Sequence, residues 1–140
     1  MSIPLVPELL RSHLEKLAAA DARIDGRARF EPRETTLETG ILGNAEGSAR
    51  VQMGNTIVLA GVKFQLMTPY PDRPTQGGLM CSAEVRPVAG RGWEAGPPSA
   101  ESIELGRVVD RGIRESGCID VDELCIIPGE RAWQVILDLF

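Results

Sequence analysis

One alternating segment, a two-residue turn and an apolar return segment constrain the fold of this chain most strongly. Residues 47–53 alternate small or apolar side chains with polar ones, as a half-buried strand does. Gly54 and Asn55 follow, and both residue types tolerate the positive φ that a tight hairpin turn requires. Residues 56–64 then return as an apolar, β-branched run. The pattern predicts a β-hairpin whose second strand is buried.

The segments that flank this hairpin predict a helix, a loop and further strands. Leucines recur at helical spacing in residues 6–20, so we expect a short amphipathic helix that packs His13 on or beside its apolar face. The prolines of residues 67–78 exclude a ladder strand there and indicate a protruding loop. Strands are expected at residues 34–42, which Gly40 interrupts, and at 79–88, 124–127 and 130–140.

The last of these segments predicts an incomplete sheet. Trp133, Val135, Leu137 and Leu139 alternate with polar positions, as a half-buried strand would. An apolar strand without a neighbour exposes an edge that is prone to aggregation. We therefore expect residues 130–140 to form an edge whose partner strand is missing, and the sequence to be a fragment or the truncated product of a longer gene.

Three arginines mark the best candidate binding surface. At roughly 100° per residue, Arg107, Arg111 and Arg114 fall within an arc of about 60° on a predicted helix. We expect Ser99 to cap the start of this helix, with Ser102 as the alternative. The expected packing face on the opposite side comprises Leu105, Val108, Val109, Gly112 and Ser116. Gly117 is expected to end the helix.

These arginines have two explanations. The chain is acidic, with 20 Asp and Glu against 15 Lys and Arg and a net charge of -5, so any contact with a polyanion must be local. All but two of the 15 basic residues are arginine, which suits bidentate phosphate contacts. Alternatively, Arg107 pairs with Asp110 and Arg111 with Glu115 on an ordinary solvated helix face.

Several other classes of site have little support. Cys81, Cys118 and Cys125 include no Cys-x-x-Cys pair and His13 is the only histidine, so we expect no zinc site, catalytic cysteine or Ser-His-Asp triad. Cys118 and Cys125 are expected to be small buried apolar groups. No apolar run approaches the roughly 18 residues of a membrane span, and we expect a cytoplasmic protein without membrane contact.

A series of short motifs resembles the ribonuclease PH family. The motifs are Arg23-Ile-Asp-Gly-Arg27, residues 45–56, Gly61-Val-Lys63, Pro69-Tyr-Pro-Asp-Arg-Pro74, Glu94-Ala-Gly-Pro-Pro98, residues 103–116, and Ile127-Pro-Gly129 with Trp133. Within the family, the series looks like the non-catalytic subunit of the archaeal exosome ring. The resemblance implies an α+β, ribosomal protein S5 domain 2-like mixed sheet with packed helices, of which residues 23–140 form the first half after an N-terminal helix at 1–22.

The resemblance also implies a function. Rings of this type alternate catalytic and non-catalytic subunits in a hexamer, carry RNA-binding cap proteins, and degrade single-stranded RNA from the 3′ end by phosphorolysis. The catalytic partner uses inorganic phosphate, so no cofactor is expected here. Active members hold phosphate with arginines at the position of Glu101, and carry a Gly-Gly-Thr-Arg-type segment beyond the strand at which this sequence ends. The resemblance therefore implies a chain without catalytic residues of its own.

The resemblance assigns contact with RNA phosphates to Arg107 and Arg111, with Arg114 one turn further on. Arg73 is a candidate for lining a central channel, against a solvated loop arginine, and Trp93 is a candidate for base stacking, against packing on a partner. Asp25-Gly26-Arg27 is expected to form a structural turn. Two alternatives stay open: an autonomous phosphorolytic exoribonuclease whose catalytic half is missing, and a fragment that only pairs with another chain.

Overall fold

The computed structural model describes residues 7–90 and 96–140, and the chain divides into two units, Met1–Glu34 and Thr35–Phe140. The first unit contains α1 (Pro7–Ala19), followed by an isolated bridge between Ala22 and Ala28. The second contains β1 (Thr35–Thr39), β2 (Gly47–Met53), β3 (Thr56–Met67), β4 (Gly78–Ala83), a 3-10 turn (Pro87–Ala89), α2 (Ala100–Ser116), β5 (Cys125–Ile127) and β6 (Arg131–Leu139).

The strands of the second unit form one mixed sheet. Its order is β1-β2-β3-β6-β4, and β5 pairs with β6 beside the start of that strand. All neighbours run antiparallel except β4 and β6, which are parallel. The expected α+β class with a mixed sheet and packed helices is confirmed.

The hairpin predicted for residues 47–64 is confirmed, with one correction. β2 and β3 pair from Met53 and Thr56 outward, and Gly54 has the positive φ of 60° that the turn requires. Gly40, with φ of 70°, ends β1, and its N–H donates to the Ser48 carbonyl at 2.8 Å. The expected burial of the second strand is wrong, because no residue of β3 is fully buried and Ile57 is 48% exposed.

The expected edge position of the last strand is also wrong. β6 lies inside the sheet, with β3 along one side and with β4 and β5 along the other. Leu139 is in register with Ala60 on β3 and with Ala83 on β4. Alternation in a sequence shows which side chains share a face and carries no information on how many neighbours the strand has.

In-register pairing separates an apolar face of the sheet from a polar one. Directly paired residues lie on the same face, and the apolar face carries Leu37, Val51, Val58, Val62, Phe64, Leu79, Val135 and Leu137. On the polar face the Gln65 amide donates to Gln134 at 2.8 Å, and the Ser82 hydroxyl donates to Asp138 at 2.5 Å. Among the described residues, the buried hydrophobic ones are Leu79, Ala83, Ala132 and Val135.

Helix α2 packs on β4 through small residues. Ser102, which is 3% exposed, and Gly106 are its buried residues. A Cβ at Gly106 would lie 3.3 Å from the backbone nitrogen of Ala83 and 3.5 Å from the carbonyl oxygen of Cys81. The absence of a side chain at this position therefore permits the close approach of helix backbone to strand backbone.

The packing face predicted for this helix is largely wrong. Leu105 and Val108 are 48% and 63% exposed, and Gly112 and Ser116 are exposed as well. Of the predicted set only Val109 is half-buried. Small residues make the contact between α2 and β4, and a hydrophobic pattern does not predict their burial.

Two other expectations of burial are wrong. His13 is exposed on α1, where Leu9 is 70% exposed, since the described part of its unit offers no second helix or strand to receive an apolar face. Cys118 is exposed just after the end of α2, and its thiol makes only a weak contact of 3.8 Å with the Ile113 carbonyl. Cys125 is half-buried.

Replacing Gly106 by leucine should destabilise the chain by about 2 kcal/mol, because the new side chain must displace the backbone of β4. The matched control is Gly112→Leu, since a Cβ at Gly112 meets nothing within 4 Å. That variant should be neutral or more stable, because leucine favours a helix more than glycine does. Urea denaturation measures both free energies of unfolding, and equal losses in the two variants would contradict the proposed packing.

Candidate nucleic-acid interface

The ends of α2 are defined by its caps. The Ser99 hydroxyl oxygen accepts a hydrogen bond from the Ser102 N–H at 3.2 Å, while the backbone of Ser99 is extended. At the other end, Gly117 adopts a left-handed conformation with φ of 65°, and its N–H donates to the Arg114 carbonyl at 3.3 Å. The expected caps at Ser99 and Gly117 are confirmed. They fix where the helix begins and where it ends.

Arg107 and Arg111 lie on the side of α2 that faces away from β4. At about 100° per residue they are about 140° and 180° around the helix from the buried Ser102. Four residues separate them, so they lie one turn apart, about 6 Å along the axis. They line one shallow depression of about 350 Å³, together with Ala100, Ile103, Glu104 and Val108.

Neither of these two arginines has a partner within residues 7–90 and 96–140. The pairs Arg107 with Asp110 and Arg111 with Glu115, expected for an ordinary solvated face, do not form. Asp110 is bound instead by Arg114. The two guanidinium groups carry ten N–H donors between them, and no carboxylate of residues 7–90 or 96–140 neutralises them.

Arg114 is in a different situation from the other two arginines. Its Nε donates to Asp110 Oδ2 at 2.7 Å and its Nη2 donates to Asp110 Oδ1 at 3.1 Å. The same Nη2 also donates to the carbonyl oxygen of Leu79 on β4. The predicted set of three thus contains two arginines on the open face and one that is bound to the sheet. Contact of Arg114 with RNA stays a prediction.

The first turn of α2 is acidic. Hydrogen bonds from its own backbone N–H and from the Ser99 hydroxyl hold the pKa of Glu101 below its ordinary value. The carboxylate therefore stays ionised and occupies the positive end of the helix dipole. A phosphate approaching this end would be repelled by Glu101, whereas it would be attracted one to three turns further along, at Arg107 and Arg111.

The other candidate residues lie elsewhere. Arg73 is exposed, with its Nε 3.9 Å from Asp72, and its place in a channel stays a prediction. The Asp25-Gly26-Arg27 turn is as expected: Gly26 has φ of 78°, and Arg27 donates to Asp25 at 2.7 Å, which lowers the pKa of that carboxyl. Trp93, the candidate for base stacking, lies outside the described residues.

The apolar part of the depression was not predicted from the sequence. Ile103 is 53% exposed and lies one turn before Arg107 on the same face. Val108, assigned to the packing face, lies on the other wall of the depression. The spacing i, i+4, i+8 of Ile103, Arg107 and Arg111 carried the signal for the first of these, because positions four apart share a helix face.

Two other findings concern the described residues as a whole. They contain no group of three or more His, Cys, Asp or Glu side chains able to hold a metal ion. None of their helices combines the length and the apolar character of a membrane-spanning segment.

An arginine-bearing helix packed on a mixed sheet defines an α+β domain with a local cationic surface. Comparison with known protein families shows which family this domain belongs to. Residues 31–140 match the model of the 3′ exoribonuclease family, domain 1, which is the ribonuclease PH domain. The chain belongs to the ribonuclease PH family.

The chain is similar to curated proteins from archaea. The chain is 46% identical over 135 residues to a protein named exosome complex component Rrp42 from Methanothermobacter thermautotrophicus, covering 96% of this chain and 50% of that protein. It is 43% identical over 138 residues to the protein of that name from Aeropyrum pernix, covering 99% and 50%. The chain thus spans about half the length of the curated relatives that it matches.

Solved structures agree with this family. A chain in a structure titled as the Archaeoglobus fulgidus exosome with RNA bound to the active site is 42% identical and superposes with a TM-score of 0.89, over 97% of this chain and 54% of that one. A chain of an archaeal exosome core is 39% identical, with a TM-score of 0.79, over 94% and 49%. Rice Rrp46, at 23% identity and a TM-score of 0.57, shares the fold.

Replacing Glu101 by glutamine should reduce stability at neutral pH and have little effect in acid. The folded-state pKa lies below the unfolded one, so ionised Glu101 stabilises the fold above the unfolded pKa, and the contribution is lost as the pH falls through the folded pKa. Unfolding at pH values of about 7 and about 3 tests this expectation. Glu115→Gln, in the last turn, removes an equal charge where the helix dipole is negative, and should not destabilise at neutral pH.

Proposed function

We propose that this chain is a non-catalytic, ribonuclease PH-like subunit of an archaeal-type exosome ring and that it binds single-stranded RNA on α2. The observation that carries the proposal is the pair Arg107 and Arg111, which lie one turn apart on the open face and have no partner among the residues that the structure describes. Family membership and the names of the curated relatives support the assignment to an exosome.

The chemistry of the depression suits a sugar-phosphate backbone. Each guanidinium offers a planar fork to phosphate oxygens, which arginine binds more specifically than lysine does. Ile103 and Val108 supply apolar surface beside the two cations, against which a ribose or a base can pack. Contacts of this kind hold RNA without reading its sequence, as 3′-to-5′ degradation of varied substrates requires.

In this proposal the chemical step belongs to a neighbouring catalytic ribonuclease PH-like subunit, which alternates with this chain in a hexameric ring and uses inorganic phosphate. RNA-binding cap proteins complete the complex in the cytoplasm, and Arg73 and Arg114 are secondary candidates for RNA contact. The alternative of an autonomous phosphorolytic enzyme is disfavoured, because the ionised Glu101 opposes phosphate at the start of α2.

Alanine at Arg107 or Arg111 should weaken RNA binding by the complex with the catalytic subunit about 3- to 10-fold, because each replacement removes one phosphate contact. Each should also flatten the dependence of log affinity on log salt by about 0.7. Fluorescence anisotropy with a labelled oligo(A) RNA over a salt series measures both quantities.

The matched control for these variants is Arg11→Ala. Arg11 is an exposed helix arginine in the other unit, where it pairs with Glu15 at 3.0 Å, and its replacement changes the net charge by the same amount. It should leave affinity and salt slope unchanged. Equal losses in all three variants would mean that only net charge matters, and no loss at Arg107 and Arg111 would contradict RNA contact at α2.

The chain alone should not shorten RNA when inorganic phosphate is added, whereas the complex with the catalytic subunit should. Gel analysis of a 5′-labelled RNA, with and without phosphate, measures this difference. Phosphate-dependent shortening by the isolated chain would favour the autonomous enzyme, and failure of the two chains to co-purify would contradict the ring assignment.

A further inference from the structure

Asp110 is at helical spacing from two of the three arginines of α2. It is three residues after Arg107 and four residues before Arg114, and positions three or four apart are neighbours on a helix surface. The structure shows which arginine binds it: both carboxylate oxygens accept hydrogen bonds from Arg114. Arg107, the alternative partner at helical spacing, binds no carboxylate of the described part of the chain.

The pair of Asp110 and Arg114 is part of the contact between α2 and the sheet. Asp110 is partly buried, with 25% of its side chain exposed, and Arg114 also donates to the Leu79 carbonyl on β4. This third contact holds the guanidinium at the side of the helix that borders the strand. Because both oxygens of this carboxylate are bound to an anchored guanidinium, its charge is largely neutralised, and its attraction for an arginine on the open face is reduced.

We propose that Arg114 is a positioning residue: it sequesters Asp110 against β4 and so keeps Arg107 free to bind RNA phosphate. This inference rests on the proposed function of Arg107. Without Arg114, Asp110 would be a partly buried charge without a partner, and forming an ion pair with Arg107 at i−3 would relieve that cost. RNA would then compete with an internal carboxylate for the Arg107 guanidinium.

Three other roles of Arg114 must be distinguished from this one. Arg114 would also matter if it contacted RNA itself, if it only anchored α2 to the sheet, or if it only contributed a positive charge. Removal of the Asp110 charge separates these possibilities. Asp110→Asn cannot replace a lost RNA contact or a lost anchor, but it removes the carboxylate that would otherwise capture Arg107.

The test compares four variants of this chain in complex with the catalytic subunit: Arg114→Met, Asp110→Asn, and Arg114→Met combined with either Asp110→Asn or Glu115→Gln. Binding of labelled oligo(A) RNA is measured over a salt series. Arg114→Met should weaken binding about 3- to 10-fold, like loss of one phosphate contact. Adding Asp110→Asn should restore affinity and salt slope to within about 2-fold, and Asp110→Asn alone should change little, because Asp110 is already neutralised.

Glu115→Gln is the matched control for charge. Glu115 is on the same helix and next to Arg114, and the described residues show no ion pair for it. Its replacement in the Arg114→Met background restores the same net charge and should not restore binding. Equal rescue by the two second-site changes would overturn the proposal in favour of net charge.

The remaining outcomes also decide the question. No rescue by Asp110→Asn in a folded variant would overturn the proposal in favour of direct contact or anchoring, and so would unchanged binding in Arg114→Met. If Arg114→Met does not fold, Arg114→Lys keeps the charge but cannot bind both carboxylate oxygens, and the same rescue is expected. Failure of the proposed function is recognised separately, since Arg107→Ala would then leave binding unchanged.

Discussion

The sheet depends on hydrogen bonding to both sides of β6. β3 pairs with one side from Ala132 to Leu139, and β4 pairs with the other from Gln134 to Leu139. Because β4 runs parallel to β6, the chain between them cannot be a hairpin and must cross back along the sheet. α2 lies in that connection, so its place against β4 follows from the order of the strands.

The electrostatics of the candidate interface follow from the same contact. Gly106 brings the helix backbone against β4, and Arg114 reaches the Leu79 carbonyl from the next turns. Rotation of the helix about its axis would clash at Gly106 and break the Arg114 contact, so the opposite side, with Arg107 and Arg111, has a fixed orientation. The two cations therefore point away from the sheet because the opposite side of the helix packs tightly against it.

The parts of the fold that the sequence predicted are those set by local chemistry. Gly54 marked the hairpin turn, Ser99 and Gly117 marked the ends of α2, and Gly26 marked the N-terminal turn, since each position needs a particular backbone conformation or cap. Family membership followed from the order of the motifs. The turns and caps depend on only a few neighbouring residues, so the local sequence is enough to predict them.

Non-local features were not predictable in this way. The central position of β6 depends on pairing with segments about 70 positions earlier in the chain, and alternation does not reveal them. The packing face of α2 is made by Ser102 and Gly106, whose small size matters only against a particular strand. For the candidate site, the sequence showed the three arginines at helical spacing. It did not show that Asp110 pairs with Arg114 and not with Arg107, because that pairing depends on a carbonyl of β4.

The position of β6 also has a consequence for biosynthesis. During translation β3 and β4 emerge from the ribosome long before residues 131–139, the strand that both of them pair with. The edges of those strands and the apolar face beside them stay open for that interval, which is the condition under which nascent chains associate wrongly. A chaperone that binds extended apolar segments would have its greatest effect on this chain in that window, before β6 pairs with β3 and β4.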